Sequence, residues 1–140
     1  MEKKLLATPQ PVFQTEIPVQ ISHINYGNHV GFDAMVSLLH EAQVQFLKNY
    51  HYQEIDIEGR FLVVQKIEVL YKREAFYGDD LTFVIGIGDI TKVKLELQYL
   101  VKNTKQEEVC RAEITVVFID QASRRVVSPP AFFQTLKEKN

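Results

Sequence analysis

The hydrophobic pattern of this chain changes period between Ile21 and Asp33, and it changes back only once. Upstream, Phe13, Thr15, Ile17, Val19 and Ile21 alternate with Gln14, Glu16, Pro18 and Gln20. That period of two marks a half-buried strand, and Pro18 restricts it to a sheet edge or a bulge. From Asp33 to about Tyr50 the apolar residues Met35, Val36, Leu38, Leu39, Ala42, Phe46 and Leu47 recur at steps of three and four, the stripe of an amphipathic helix. Asp33, or a residue just before it, is placed to cap that helix.

Downstream, Phe61–Tyr71, Leu81–Ile90, Val93–Val101 and Glu108–Ile119 are rich in β-branched and aromatic residues. Turn-forming stretches separate the last three of them from what precedes: Tyr77-Gly78-Asp79-Asp80, Asp89-Ile90-Thr91 and Asn103-Thr104-Lys105. Connections this short join antiparallel strands, because parallel neighbours need long crossovers. Pro129-Pro130 then opens a short segment, Ala131–Lys137, with helical character.

A single helix of about five turns, ~27 Å long, is thus embedded in a chain of strands. Its wide apolar arc has to be buried on something large, and a curved antiparallel sheet of five strands wrapped around it does so. The expected class is α+β, with residues 1–140 forming one domain, since 140 residues are too few for two well-filled cores. Such a sheet keeps open edges, which self-association would cover.

Sixteen basic residues against eighteen acidic ones give a formal charge of −2, and no run of Lys and Arg makes a basic stripe; a nucleic-acid partner is not expected. The single cysteine, Cys110, excludes an internal disulfide framework and a multi-cysteine zinc site, and no metal or cofactor is expected. Lying in a strand, Cys110 reads as a small buried hydrophobe rather than a nucleophile. The beginning, with Lys3-Lys4, carries too short an apolar stretch for a signal peptide, and no segment approaches the ~20 apolar residues of a membrane span. The cytoplasm is the expected compartment.

The stretch His23-Ile24-Asn25-Tyr26-Gly27-Asn28-His29-Val30-Gly31-Phe32-Asp33, followed by Leu39-His40-Glu41-Ala42, resembles the signature of hot-dog-fold acyl-CoA thioesterases, the 4-hydroxybenzoyl-CoA thioesterase-like superfamily. In that family a loop ending in Gly-x-His-Val or Gly-His-Val runs into a central helix bearing a Glu-Ala pair. Phe61–Tyr71 resembles the family's second strand, and Tyr77-Gly78-Asp79-Asp80-Leu81 resembles its Gly-Asp turn. The resemblance covers roughly residues 12 to 130. It implies a hot-dog fold, a long helix wrapped by an antiparallel sheet. It also implies hydrolysis of a small-molecule acyl thioester, of coenzyme A or of an acyl carrier, by water attack, and assembly into dimers or dimer-based tetramers or hexamers.

The departures bear on mechanism. His23 stands where many members have Asp, Gln43 where an Arg often follows Glu-Ala, and Asn25 where many hydrolases carry the catalytic Asp. An Asn cannot accept a proton, although its amide can hold and steer a water; equally, it can simply stabilise a turn. The helix start at Val30–Phe32 offers free backbone N–H groups for an oxyanion, and Gly27 and Gly31 let a substrate approach closely. Asn25, His29 and Glu41 are therefore the candidate catalytic residues, and Tyr26, Gly27, Val30, Gly31 and Asp33 the candidate substrate-binding ones. Glu41 lies just beside the apolar stripe but about 15 Å along the axis from Gly31, so Asp33 stays open as the alternative acid. Two other classes remain: a non-catalytic acyl-thioester binder, which Asn25 permits, and an enoyl-thioester hydratase or dehydratase, whose Asp-x-Asn-Pro-x-His run is not matched.

Overall fold

The computed structural model describes residues 6–140; the Lys3-Lys4 pair and the rest of residues 1–5 lie outside the described residues. The elements run β1 (Pro11–Pro18), α1 (Phe32–Asn49), β2 (Arg60–Tyr71), β3 (Asp80–Ile90), β4 (Leu95–Lys102), β5 (Glu108–Asp120), β6 (Val126–Val127) and α2 (Ala131–Glu138). All strands pair antiparallel in the order β1-β3-β4-β5-β2, with β6 added on β5 through Phe118 and Ile119. The expected five strands are all present. The sheet is nevertheless six-stranded, because the chain doubles back after Asp120 and pairs two more residues before Pro129.

The alternation in β1 places Ile17 in the core between exposed Glu16 and Pro18. Its prolines sit at the two ends of an edge strand, where a missing N–H costs no ladder bond. β1 ends at Pro18 rather than Ile21, because Val19 bonds to Asp79 and Ile21–His23 tighten into a 3₁₀ turn. β4 starts later than its composition suggests, because the Thr91 hydroxyl accepts from the amides of Val93 and Lys94 and closes a turn there.

α1 buries Met35, Leu38, Leu39, Ala42, Gln43, Phe46 and Leu47 against the sheet, closest to β1 and β3. The expected stripe and the observed buried face coincide except for Val36, which is only partly buried, and Gln43, which the stripe does not include and the helix buries. Facing them is a continuous apolar layer that includes Leu81, Phe83 and Ile85 of β3, Leu97 and Tyr99 of β4, and Ile114, Val116 and Phe118 of β5. α2 closes the far end, with the ring of Phe133 5.6 Å from Phe118 and 6.5 Å from Phe46. Gly31, not Asp33, is the N-cap of α1: its carbonyl accepts the first helical bond, from Met35, at 3.0 Å. Asp33 instead sits in the first turn, where its charge complements the helix dipole.

Among the described residues β2 has a neighbour on one side only. From Val63 to Glu68 six consecutive residues are exposed, so both faces of this edge strand are open along with its outer backbone groups.

Candidate active site

The loop that precedes α1 is closed by its own backbone. Asn25 donates to His29 at 2.9 Å, Asn28 donates back to Asn25 at 3.1 Å, and Ile24 pairs with Val30 in an isolated bridge. Asn28 takes the left-handed turn at φ 65°, a conformation asparagine adopts more readily than most residues. Two further bonds fix the loop in space: Gly31 N–H to His23 O at 3.1 Å, and Val30 N–H to Ala75 O at 2.8 Å. The second couples the helix start to the chain just after β2.

Within this frame the Asn25 side-chain oxygen accepts from the Gly27 amide at 2.9 Å, an Asx turn. The amide nitrogen of Asn25 is left as its free donor. Gly31 makes room for two side chains: a Cβ there would lie 2.7 Å from Asp33 Oδ1 and 3.5 Å from Asn25 Cβ. Gly27 likewise leaves space for the His29 ring, whose Nε2 would be 3.1 Å from a Cβ at that position. The two glycines serve the side chains of this loop rather than lying open.

A cavity of about 460 Å³ lies beside the helix start. Val30, Phe32, Met35, Ala75 and Val109 form its apolar wall, and Asn25, His29, Tyr71, Lys72, Arg73 and Glu74 its polar one. Among the described residues, the amides of Phe32, Asp33 and Ala34 have no backbone acceptor, as expected of a first helical turn. The imidazole Nδ1 of His29 donates to Val30 O at 3.1 Å, and its Nε2 lies 4.0 Å from Glu74 Oε2. Tyr71 donates its hydroxyl to Phe32 O at 2.8 Å; burial first, then Cys110 and Asp33, hold that phenol above its ordinary value. Lys72 and Arg73 are drawn toward carboxylates, Lys72 to Glu108 at 2.7 Å and Arg73 to Glu107 at 3.5 Å. The hydrogen bond from Arg111, then that from Lys72, holds Glu108 below the usual carboxylate range.

The structure thus brings Asn25, His29 and Val30 of the expected set together on one cavity, with Gly27, Gly31 and Asp33 directly behind them. Tyr26 is fully exposed and lines no part of it. Glu41 is also elsewhere: its carboxylate accepts from Gln45, which in turn contacts Thr15 of β1. Tyr71, Lys72, Arg73 and Glu74 were not anticipated from the sequence. The signal available was a charged triplet, Lys72-Arg73-Glu74, interrupting the pattern between a strand and a turn. Cys110 is inert in this setting, burial pushing its thiol up to about 12. Among the described residues no group of three or more His, Cys, Asp or Glu able to hold a metal ion occurs, and no helix is long and apolar enough to cross a membrane.

Comparison with known proteins agrees with this architecture. A protein of Synechocystis sp. named as a candidate esterase is 26% identical over 129 residues, covering 90% of this chain and 78% of its own length. The crystal structure of a 1,4-dihydroxy-2-naphthoyl-CoA thioesterase from Synechocystis superposes with a TM-score of 0.78 at 20% identity, covering 89% of this chain and 94% of that one. A Staphylococcus aureus protein solved in complex with CoA gives 0.78 at 17% identity, over 99% of this chain and 87% of that one. Residues 19–136 match the thioesterase-like superfamily. The chain belongs to that superfamily and is an enzyme of thioesterase type.

Proposed function

We propose that the chain hydrolyses acyl thioesters of coenzyme A at the cavity beside the start of α1. The observation that carries this reading is a helix start with no backbone acceptor for its first amides, whose first residue, Phe32, lines the cavity together with Asn25 and His29. Attack of water on a thioester puts negative charge on the carbonyl oxygen, and a helix N-terminus with unpaired N–H groups stabilises it. The Asn25 amide donates to that oxygen or holds the water, since its own oxygen is committed to Gly27. Val30, Phe32, Met35 and Val109 receive the acyl or aryl group. Lys72 and Arg73, on the same cavity, can meet the anionic end of the carrier by exchanging their contacts with Glu108 and Glu107. The S. aureus neighbour with bound CoA supports that choice of carrier.

The second part of the proposal is self-association through β2. Its outer edge is unpaired, and Val63, Val64 and Ile67 are exposed on it. Pairing this edge with that of a second copy satisfies the backbone and covers those side chains. Tyr71, the last residue of β2, lines the cavity, so such an interface borders the site.

The test is release of free thiol from a panel of acyl-CoA esters of graded chain length, with aromatic esters included. Turnover of at least one ester is expected; tight binding of esters with no thiol released from any would favour the non-catalytic reading instead. Sedimentation at micromolar concentration should show a multiple of the 16.2 kDa chain mass, and a single species at that mass would remove the assembly from the proposal.

A further inference from the structure

Hydrolysis at this cavity needs a proton acceptor, and Asn25 has no protonation state to offer. Glu41 faces Gln45 and β1. The carboxylate that lines the cavity is Glu74, on the segment just after β2. Among the described residues His29 is the one basic side chain within 4.0 Å of it, because Arg73 turns to Glu107 and Lys72 to Glu108.

The geometry of that pair is specific. Val30 O can only accept, so His29 Nδ1 carries the proton of the neutral ring and Nε2 presents its lone pair. Nε2 and Glu74 Oε2 are then two acceptors 4.0 Å apart, too far for a direct hydrogen bond. One water at ordinary distances of about 2.8 Å from both subtends nearly a right angle, close to its own bond angle. It gives one hydrogen to each acceptor and turns its lone pairs outward, the posture of a nucleophile.

We propose that Glu74 is the general base of this site, taking a proton from a water that it shares with His29. This rests on the hydrolytic reading given above. The water oxygen forms a bond to the thioester carbon as its proton passes to Glu74. The negative charge thereby leaves the carboxylate and appears on the carbonyl oxygen, at the free amides of α1. Protonating His29 instead would create a new pair of opposite charges and leave Glu74 ionised beside the oxyanion. When the oxyanion collapses, the carbon–sulfur bond breaks and the departing sulfur takes the proton back from Glu74. Ester and water are consumed, acid and thiol are formed, and the residues end as they began. Glu74 is 61% exposed, so the bound ester itself has to exclude solvent from it.

The experiment uses whichever acyl-CoA ester the wild-type protein cleaves best. Glu74→Gln is expected to lower kcat by about 10²–10⁴-fold, with KM changed far less and an unaltered circular-dichroism spectrum. Glu74→Ala is expected to regain turnover with added formate, which supplies the missing carboxylate, whereas Glu74→Gln is not. Kcat for Glu74→Gln within about threefold of wild type, well short of a lost general base, overturns the proposal. So does a Glu74→Ala variant that formate leaves unchanged. Either result leaves the hydrolytic reading standing, whereas a wild-type protein that releases no thiol from any ester removes that reading itself.

Discussion

The hydroxyl of Tyr71, the last residue of β2, donates to the carbonyl of Phe32, the first residue of α1, at 2.8 Å. This bond and the one from Val30 N–H to Ala75 O fasten the end of the edge strand to the start of the helix. The proposed oxyanion amides and the proposed base therefore sit on two separate stretches of chain held in register by two hydrogen bonds. Tyr71→Phe removes one of them. A partly exposed bond of this kind is worth about 0.5–1.5 kcal/mol, so the melting temperature should fall by only about 2–6 °C. Turnover should fall more than stability does, because the displaced group is the helix start itself. Melting curves and kcat measured side by side check this; equal, minor effects on both would show that Ala75 alone holds the register.

Gly31→Ala is the sharpest steric probe of the loop. The backbone there, at φ −68° and ψ 154°, suits alanine, so no backbone strain is added. The new methyl would meet Asp33 Oδ1 at 2.7 Å and crowd Asn25. Asp33 can rotate away, which keeps the fold intact, but Asn25 is pinned by its Asx turn and has to shift with the loop. Displacement of a positioning group by about 1 Å costs up to ~10²-fold in rate. The expected outcome is a near-normal melt with at least a tenfold loss of turnover, roughly half that range in free energy. Removing the Asp33 carboxylate as well, in Gly31→Ala/Asp33→Ala, should restore part of the loss if the clash is with Asp33. Non-additivity in that double-mutant cycle is the readout.

Much of this architecture is legible in the chain itself. The α1 stripe is visible because burial on one side forces a period that no strand shares, and Met35 to Leu47 keep it without interruption. The loop from His23 to Gly31 is visible because its glycines, asparagines and histidines suit neither pattern. Glu74 and Tyr71 are not visible in the same way. They reach the cavity through the Val30–Ala75 and Phe32–Tyr71 bonds, which join residues about forty positions apart and leave no periodic trace. Glu41 illustrates the converse. A position beside the apolar stripe says that a side chain borders the packed face, but not which flank; here the flank is the β1 side, away from the cavity.

Gln43 occupies a position where the resemblance leads one to expect arginine, and its surroundings explain why a neutral amide works. Its side chain is buried, accepts from the hydroxyl of Tyr99 at 3.2 Å and donates to Glu54, which also holds His40 at 2.9 Å. Burial, then the nearby Glu54, keeps the Tyr99 phenol far above its ordinary value, so it remains a donor that needs an acceptor. Gln43→Leu leaves that donor stranded and takes a partner from Glu54. A buried donor left unsatisfied costs about 1–3 kcal/mol. Adding Tyr99→Phe should recover the share of the loss due to that donor, because both ends of the Tyr99–Gln43 bond are then gone, while Glu54 still lacks the Gln43 amide. Denaturant midpoints of the single and double variants test it, and a double variant no more stable than Gln43→Leu would place the cost in packing instead.

Cys110 offers a prediction about alkaline stability whose sign can be worked out. Its thiol is pushed up to about 12 by burial, with Glu108 adding to the effect, from an ordinary value of 9.0. The unfolded chain therefore loses this proton at lower pH than the folded one. Above the unfolded value the folded form binds more protons, so stability falls as pH rises. The contribution is fully present below about pH 9 and drains away up to about pH 12. Other groups titrate there too, so the quantity to measure is a difference. The unfolding free energy of Cys110→Ala should decline less steeply over that window than that of the wild type. The same burial predicts that a thiol reagent labels no cysteine in the native protein at neutral pH and one per chain after denaturation. Rapid native labelling would mean that β5 opens locally at Cys110, and it would also add a background to every thiol-release assay of this enzyme.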